Sequence, residues 1–319
     1  MIHSPLGFTL ELEARSSRAY VIDRPMFDRI MFHRAVDAGA LPQLGTSVRR
    51  IVQTRGAARV EVRAEGTMRS VSSSVVIGAD GYKSICRKEA RLPPPKHMLT
   101  GIQADLKGAD IEKEFVEIYL GHGIAPGFFA WVIPAGDIAR VGLCTWDAND
   151  LPAVYLRKFL SRPEFKGARR VSTASGRIPI GPGRSAVGGR IMLVGDAACH
   201  AKPLSGGGVY TGVRGAELCA EAADVYLETH SESALLEYDR LWKDEFGKEL
   251  SRAFRIRKIF VNLTDKKIDK ALRIFAEPDV RRLLEQRGDI DYPASLASSV
   301  LRLAPKLAQF SPQIIESLL

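Results

Sequence analysis

The stretch 189–208 constrains the fold most, because a short apolar run, a carboxylate and a glycine-rich turn come directly before a predicted helix. The apolar run 191–194 has the length of a buried strand, and Asp196 follows it. Three glycines at 206–208 precede the helix predicted over 209–228. Glycine lets backbone N–H groups approach a ligand closely, and a helix N-terminus attracts negative charge. The stretch therefore predicts a site for an anionic or polar cofactor, or else an ordinary strand–loop–helix connection.

A second apolar strand, 75–78, ends in the pair Asp80-Gly81. If the two strands are parallel, their carboxyl ends meet at the edge of the sheet where doubly wound folds bind cofactors. Carboxylates there accept hydrogen bonds from ribose or ribityl hydroxyls. More than a hundred residues separate the two pairs, and many of them alternate as strands do. We predict an α/β fold in which a doubly wound, Rossmann-like domain carries an inserted antiparallel sheet and a helical tail.

Composition excludes several classes of function. The 46 basic and 37 acidic residues are dispersed, without a long Lys/Arg run, so we do not expect nucleic-acid binding. The four cysteines are far apart and predict neither a metal site nor a disulfide framework. No signal peptide or membrane-spanning run is visible, which predicts a cytoplasmic protein. The basic balance and the helical tail favour peripheral contact with a membrane surface.

Several motifs resemble those of a known superfamily. The segment 76–84 resembles the Asp-Gly motif of the flavoprotein hydroxylase superfamily, whose type member is para-hydroxybenzoate hydroxylase. The segment 195–208 resembles its Gly-Asp motif, and 24–28 is similar to its Arg-x-x-Phe-Asp segment. Within that superfamily the chain most resembles the geranylgeranyl reductase family, including the archaeal digeranylgeranylglycerophospholipid reductases. The triple glycine, the aromatic segment 129–134 and the tail 288–293 carry this closer resemblance.

The resemblance implies FAD as the cofactor and a polyprenyl lipid as the substrate. The implied FAD-binding residues are Asp196 at the ribityl or phosphate region, Pro203, Gly207, Gly208 and Val209 in the motif beside the flavin ring, Arg24 and Val48 at the adenine-side half, and Asp80 and Gly81 at the pyrophosphate crevice. Phe129 and Trp131 would line the polyprenyl pocket, or else pack in the core. No catalytic side chain and no metal are implied.

The implied organisation is an FAD-binding part over 1–92 and 181–230, an antiparallel-sheet substrate domain over 93–180 and a helical region over 231–319. The implied activity is reduction of carbon–carbon double bonds in the geranylgeranyl chains of archaeal membrane-lipid precursors, with NADPH or ferredoxin as electron donor. Two alternatives stay open at this point. One is an FAD-dependent monooxygenase or halogenase of the same superfamily, and the other is a non-catalytic lipid-binding remnant.

The chain departs from the family pattern at its start. The family opens with a strand, a Gly-x-Gly-x-x-Gly turn and a helix that cradle the FAD pyrophosphate, followed by a Pro-x-x-Cys segment. Neither motif occurs in this sequence. We expect a family member without about its first 80 residues, through a misassigned start codon or a fragmentary gene. The doubly wound domain is therefore expected to be incomplete.

This departure predicts that the purified 319-residue chain binds FAD weakly or not at all, because the pyrophosphate cradle supplies much of the contact surface for the cofactor. The measurement is the absorbance of released flavin per mole of protein after gel filtration in excess FAD. A stoichiometric yellow protein would contradict the prediction.

Overall fold

A computed structural model describes residues 1–14, 16–181 and 183–310. The strands in chain order are β1 Ile2–His3, β2 Thr9–Leu10, β3 Thr46–Gln53, β4 Ala58–Ala64, β5 Thr67–Ser73, β6 Val76–Gly78, β7 His97–Lys107, β8 Glu117–Leu120, β9 Phe129–Ala135, β10 Ile138–Thr145, β11 Arg169–Ile180, β12 Val187–Gly188 and β13 Ile191–Leu193. The α-helices are α1 Arg24–Asp37, α2 Ile85–Glu89, α3 Pro152–Phe159, α4 Val209–Thr229, α5 Glu232–Trp242, α6 Lys248–Phe260, α7 Asp265–Phe275, α8 Pro278–Arg287 and α9 Ala297–Leu303.

The two apolar strands of the sequence lie side by side in a small sheet of order β12-β13-β6, with β13 in the centre and β6 at one edge. β13 is fully buried on both faces, as its uninterrupted apolar run predicts. It pairs in parallel with β6 and antiparallel with β12. Helices α4 and α5 pack with this sheet in the largest of the described core clusters, which includes Tyr238 and Trp242. α2 approaches β6 closely, since a Cβ at Gly78 would lie 2.4 Å from the Cβ of Cys86.

The inserted section forms a larger sheet in the order β11-β7-β10-β9-β8-β1-β2. Neighbouring strands from β11 to β8 are antiparallel, as the sequence predicts. β1 pairs in parallel with β8 and antiparallel with β2, so the sheet is mixed rather than wholly antiparallel. Two short strands from the first ten residues thus extend a sheet that the sequence assigns to 93–180. α3 covers one face, where Leu156 and Phe159 are buried.

A three-stranded meander, β3-β4-β5, lies beside the small sheet. The preceding helix, α1, begins with Pro25 in its first turn, and the Asp23 side chain accepts a hydrogen bond from the Met26 N–H at 3.0 Å. None of the α1 residues is buried. The apolar side chains of α1, among them Met31 and Phe32, are therefore exposed even though their spacing is helical.

Helices α6 to α9 and the 3₁₀ turn Pro305–Phe310 form the C-terminal region. The apolar stripe of the predicted tail packs inward, since Val300 and Leu307 are buried in one cluster with Ile274 and Val280. This arrangement supports a core role for the stripe over a membrane-binding one. The predicted region extends to residue 319, and 311–319 lie outside the described residues.

The predicted α/β fold with an inserted sheet and a helical C-terminal region is confirmed. The division of the chain into domains at 92, 180 and 230 stays a prediction. β1 and β2 belong to the larger sheet although they lie before residue 92, because β1 pairs with β8 and β2 pairs with β1, which satisfies backbone groups of both strands.

Tyr238 is a point where the core packing can be tested. Its side chain is fully buried, and its hydroxyl donates a hydrogen bond to the Leu193 carbonyl at 2.7 Å, which joins α5 to β13. We expect Tyr238→Phe to lower the free energy of unfolding by about 1 kcal/mol, since the carbonyl is left unpaired. Chemical denaturation measures the change.

Tyr155→Phe is the matched control, because Tyr155 packs at the edge of the core. We expect this variant to stay within about 0.5 kcal/mol of the parent protein. Equal effects of the two substitutions would contradict the role given to the Tyr238 hydroxyl.

Candidate functional site

The two aspartates of the sequence motifs follow adjacent parallel strands. Leu193 of β13 pairs with Gly78 of β6, and the Val194 N–H donates to the Gly78 carbonyl at 3.0 Å. The turns that follow, Gly81–Lys83 and Gly195–Ala198, lie next to each other. The parallel arrangement predicted from the sequence is therefore present, and both motifs reach the same edge of the sheet.

Asp80 holds the start of α2. One carboxylate oxygen accepts from the Ser84 hydroxyl at 2.6 Å, and the other accepts from the Cys86 N–H at 3.0 Å. Ser84 in turn caps the helix by accepting from the Arg87 N–H at 2.8 Å. Gly81 has a φ of +71° with open space around its Cα, a backbone conformation that side chains rarely adopt. Asp80 thus shapes the crevice indirectly, by fixing the helix beside it.

Asp196 is half-buried, and its carboxylate accepts no hydrogen bond from any described residue. It lies at the start of α4, because a Cβ at Gly208 would be 3.5 Å from its Oδ1. Burial raises the pKa of Asp196, and the positive charge of Arg24 partly opposes the rise. Gly208, the N-cap of α4, offers no side-chain cap to the first N–H groups of the helix. An unpaired acceptor and uncapped donors thus lie together.

This arrangement fits FAD, whose ribityl hydroxyls can donate to a carboxylate and whose negative charge suits a helix N-terminus.

The other predicted FAD residues lie on separate elements. Arg24 begins α1 and pairs with Asp28, and its charge reaches Asp196. Val48 lies at the β-bulge of β3 and packs against the core of the small sheet. Val209, the first residue of α4, is exposed. Their roles in FAD binding stay predictions.

We call residues 202–208 the glycine loop. Backbone hydrogen bonds within the loop and contacts from the segment 288–293 hold it closed. The Lys202 N–H donates to the Gly207 carbonyl, and the Gly206 N–H donates to the Lys202 carbonyl, each at 2.8 Å. The Lys202 side chain is 7 % exposed and forms an ion pair with Asp291. Its ammonium also donates to the Ile290 carbonyl at 3.1 Å. Part of the tail 288–293, which the sequence singles out by resemblance, therefore holds the loop in place.

Arg257 of α6 is a buried cation that faces no carboxylate among the described residues. Its guanidinium donates to the Pro203 carbonyl at 3.2 Å and to the Gly127 carbonyl. The guanidinium carbon lies 4.6 Å from the ring centroid of Phe128 and 4.9 Å from that of Trp146. Burial lowers the Arg257 pKa to about 10, so the group stays charged at neutral pH. Arg257 joins the helical region, the glycine loop and the larger sheet.

Arg87 makes a similar bridge between the two motifs. It is buried on α2 and donates from Nε to the Ala197 carbonyl at 2.8 Å, and from its guanidinium to the Pro93 carbonyl at 2.7 Å. Sequence reasoning missed Arg87, Lys202 and Arg257 as residues that position the loop. The position of Lys202, directly before the Pro of the glycine motif, is a signal that could have identified it, whereas Arg257 lies in a helix rich in exposed basic residues.

The two aromatics predicted to line a lipid pocket pack on the larger sheet. The Trp131 indole N–H donates to the side-chain Oε1 of Gln103 at 3.3 Å, and the ring covers Gly142, where a Cβ would lie 2.5 Å from the ring. Phe129 stacks on Phe128 with ring centroids 4.1 Å apart. A direct role for either residue in lipid binding stays a prediction.

A cavity of about 330 Å³ lies between the C-terminal helices and the sheet. Its described lining is wholly apolar and includes Leu120 of β8, Leu204 of the glycine loop, and side chains of α6, α7 and α9. Phe129 packs in one cluster with the lining residues Leu120 and Leu263. The cavity thus reaches the glycine loop on one side and the neighbourhood of the predicted aromatics on the other.

His200 is fully buried, and neither ring nitrogen has a hydrogen-bond partner among the described residues. The ring packs against Trp242 and Phe246, with centroids 4.8 and 5.0 Å away. Burial lowers its pKa to about 3, so the ring is neutral at physiological pH. This environment favours a structural role for His200 over an acid in catalysis.

Comparison with known proteins places this geometry in a family. A family model described as an FAD binding domain matches residues 4–154. The digeranylgeranylglycerophospholipid reductase of Methanospirillum hungatei is 32 % identical over 281 residues, which cover 83 % of this chain and 69 % of that protein. An uncharacterized protein of Methanocaldococcus jannaschii is also 32 % identical, over 89 % of this chain and 74 % of its own length.

The chain belongs to the geranylgeranyl reductase family of FAD-binding proteins. A solved structure of a geranylgeranyl bacteriochlorophyll reductase-like protein from Thermoplasma acidophilum has the same fold, with a TM-score of 0.84. At 21 % identity it covers 99 % of this chain and 80 % of its own. Family membership makes the protein an FAD-dependent enzyme and confirms the resemblance seen in its motifs. Among the described residues, no helix of this family member has both the length and the apolar character needed to cross a membrane.

The environment of His200 predicts how stability depends on pH. The unfolded chain takes up a proton at His200 below about pH 6.5, whereas the folded chain does so near pH 3. The contribution of His200 to the free energy of unfolding is therefore fully present above pH 6.5. It falls by up to about 1.4 kcal/mol per pH unit as the pH drops towards 3.

Urea unfolding of the parent protein and of His200→Leu, from pH 7.5 to 4.5, checks this expectation. We expect the variant to lose less stability than the parent over this range, because leucine does not titrate. Parallel pH profiles for the two proteins would show that His200 does not contribute.

Proposed function

We propose that the protein is an FAD-dependent reductase that saturates carbon–carbon double bonds of geranylgeranyl chains in membrane-lipid precursors. The relatives that carry this activity in their names support the proposal. The observation that carries it is the wholly apolar cavity whose wall includes Leu204 of the glycine loop. A prenyl chain has no polar group to bind, so a site for it needs apolar area next to the cofactor.

FAD, when bound and reduced, would supply a hydride for one alkene carbon, and a proton taken up at the other carbon completes the saturation. The chain supplies the position and the electrostatics. The carboxylate of Asp196 would accept hydrogen bonds from hydroxyls of the cofactor, and the N–H groups at the start of α4 would face its negative charge. Arg257 and Lys202 keep the glycine loop in one conformation through the Pro203 carbonyl and Asp291.

The cavity orients the lipid and keeps water away from it. Its walls come from the four helices α6 to α9, the glycine loop and the sheet, so a chain lying inside it contacts apolar side chains on every described side. The positive balance of the whole chain, +9, suits an anionic lipid head group or membrane surface outside the cavity. We propose NADPH or ferredoxin as the source of electrons.

Anaerobic turnover of a geranylgeranyl glycerophospholipid tests the activity, with FAD in excess and dithionite as reductant. We expect saturated products, identified by mass increases of two hydrogens per double bond. A parallel assay in air covers the alternative: oxygen-dependent hydroxylation or halogenation there, without saturation in either assay, would contradict the proposal and favour a monooxygenase or halogenase. Lipid binding without any flavin-dependent reaction would favour a non-catalytic role.

Filling the cavity tests where the prenyl chain lies. Ala271 lines the cavity on α7, and Ala271→Phe adds a ring to a space of about 330 Å³. We expect at least a tenfold rise in KM for the geranylgeranyl lipid and a much smaller rise for a substrate with a short prenyl chain, since about 1.4 kcal/mol of lost apolar contact corresponds to that factor.

Ala220→Phe, on the exposed face of α4, is the control for an added ring and should leave both KM values unchanged. Ala297→Phe, from α9, fills the same cavity from another helix and repeats the test if the first variant is unstable. Equal rises for long and short substrates would place the prenyl chain outside the cavity.

A further inference from the structure

A second cavity, of about 420 Å³, is lined by cationic side chains. We call it the cationic pocket and define it by Arg87, Lys96, His97, Arg184 and Lys258, which all line it. None of the residues predicted to bind FAD is part of its described lining. The lining comes from α2, the triple proline 93–95, the end of β11 and α6. Distant parts of the chain therefore bring positive charge to one place.

The charges in the cationic pocket lack acidic partners. Its described lining contains no aspartate or glutamate. Lys96, Arg184 and Lys258 are exposed at the rim, and none of them forms an ion pair with a described residue. The Lys258 ammonium instead lies 5.0 Å from the ring centroid of Phe254. Four like charges brought together without a carboxylate repel one another, so a bound anion would be stabilised there.

The floor of the pocket is formed by side chains with fixed positions. Arg87 is 7 % exposed, and its guanidinium contacts the Cys199 Sγ at 3.5 Å as well as two backbone carbonyls. These partners are neutral, so they hold the guanidinium without cancelling its charge. His97 packs between Trp146 and Phe254, with ring centroids 5.3 and 5.0 Å away. An ordinary solvated surface would not combine a buried guanidinium with packed aromatic rings.

The pKa of His97 responds to the same positive charges. Burial lowers the pKa of His97 first, and the charges of Lys258 and Lys96 lower it further. Both lysines therefore act on one ring from two different segments of the chain. This effect agrees with the geometry and adds to it.

We propose that the cationic pocket binds the phosphate group of a phosphorylated small molecule. Phosphate accepts several charge-assisted hydrogen bonds at once, which Arg87 and the rim cations can donate together. A bare phosphate would leave most of the 420 Å³ empty, so an organic part of the ligand lies against Phe254, Ile180 and the prolines. The phosphate can belong to a nucleotide or to a lipid head group, because both present the same chemistry to the pocket.

Isothermal titration of the full chain at low salt tests the proposal with inorganic phosphate, NADP⁺, NAD⁺ and glycerol 1-phosphate. We expect saturable one-to-one binding of at least one of the phosphate-bearing probes. Tighter binding of NADP⁺ than of NAD⁺ and phosphate identifies a nucleotide phosphate as the ligand group. Tighter binding of glycerol 1-phosphate than of phosphate and NADP⁺ identifies a lipid head group. Both results support the pocket, and the absence of saturable binding for all probes overturns it.

The double variant Arg184→Gln and Lys258→Gln locates the binding. We expect affinity to fall by at least about tenfold, because two charge-assisted contacts are lost. The matched control is Arg157→Gln with Lys166→Gln, which removes the same charge from exposed positions outside the pocket lining. The control should change affinity by less than about twofold, as general screening predicts. Equal losses in the two double variants would overturn the proposed location.

The ring resonances of His97 give a second measurement. We expect them to shift on saturation with the tightest probe in the parent protein and in the control variant. Unchanged His97 resonances at saturation would place the anion elsewhere and overturn the proposal. These assays involve no turnover, so their outcome is independent of the proposed reductase activity.

Discussion

The guanidinium of Arg257 is the contact on which the three parts of the structure depend. Arg257 itself belongs to α6. Its guanidinium donates to the Pro203 carbonyl of the glycine loop and to the Gly127 carbonyl, just before β9 of the larger sheet. A buried cation without a carboxylate costs free energy, and the carbonyls and two aromatic faces offset part of that cost. Replacing it would leave two acceptors unpaired in the middle of the molecule. The position of the loop next to the apolar cavity therefore depends on Arg257 together with the ion pair between Lys202 and Asp291.

Sequence patterns predict those parts of the fold that depend on local chemistry. The uninterrupted apolar run of β13 predicts a buried strand, and the Asp-Gly and Gly-Asp pairs predict that a second strand runs parallel to it with carboxylates at one edge. Both strands are present and parallel, although Ile77 of β6 is 45 % exposed. The parallel pairing of β1 with β8 is not predictable in this way, because two-residue strands carry no periodicity. The exposed apolar side chains of α1 show the same limit. Helical spacing predicts the helix, while burial depends on which surface lies opposite.

The candidate site likewise contains residues that the sequence predicts and residues that it does not. Asp196 and the three glycines are recognisable because a carboxylate and a flexible turn before a helix have a direct chemical meaning. Arg87, Lys202 and Arg257 are not, since each is one basic residue among 46 and gains its role from a tertiary partner. The aromatic pair shows the opposite case. Trp131 attracts attention in the sequence, but Gly142 and Gln103 already account for its packing.

Three buried cationic side chains contact or belong to the loop 197–203. Arg87 donates to its first carbonyl, Arg257 to its last, and Lys202 lies within it. Asp291 neutralises one of these three charges, so the loop keeps a positive field. Such a field lowers the energy of negative charge that a ligand brings or develops at the adjacent start of α4. The buried cations thus have one electrostatic effect in common, although each contacts a different part of the chain.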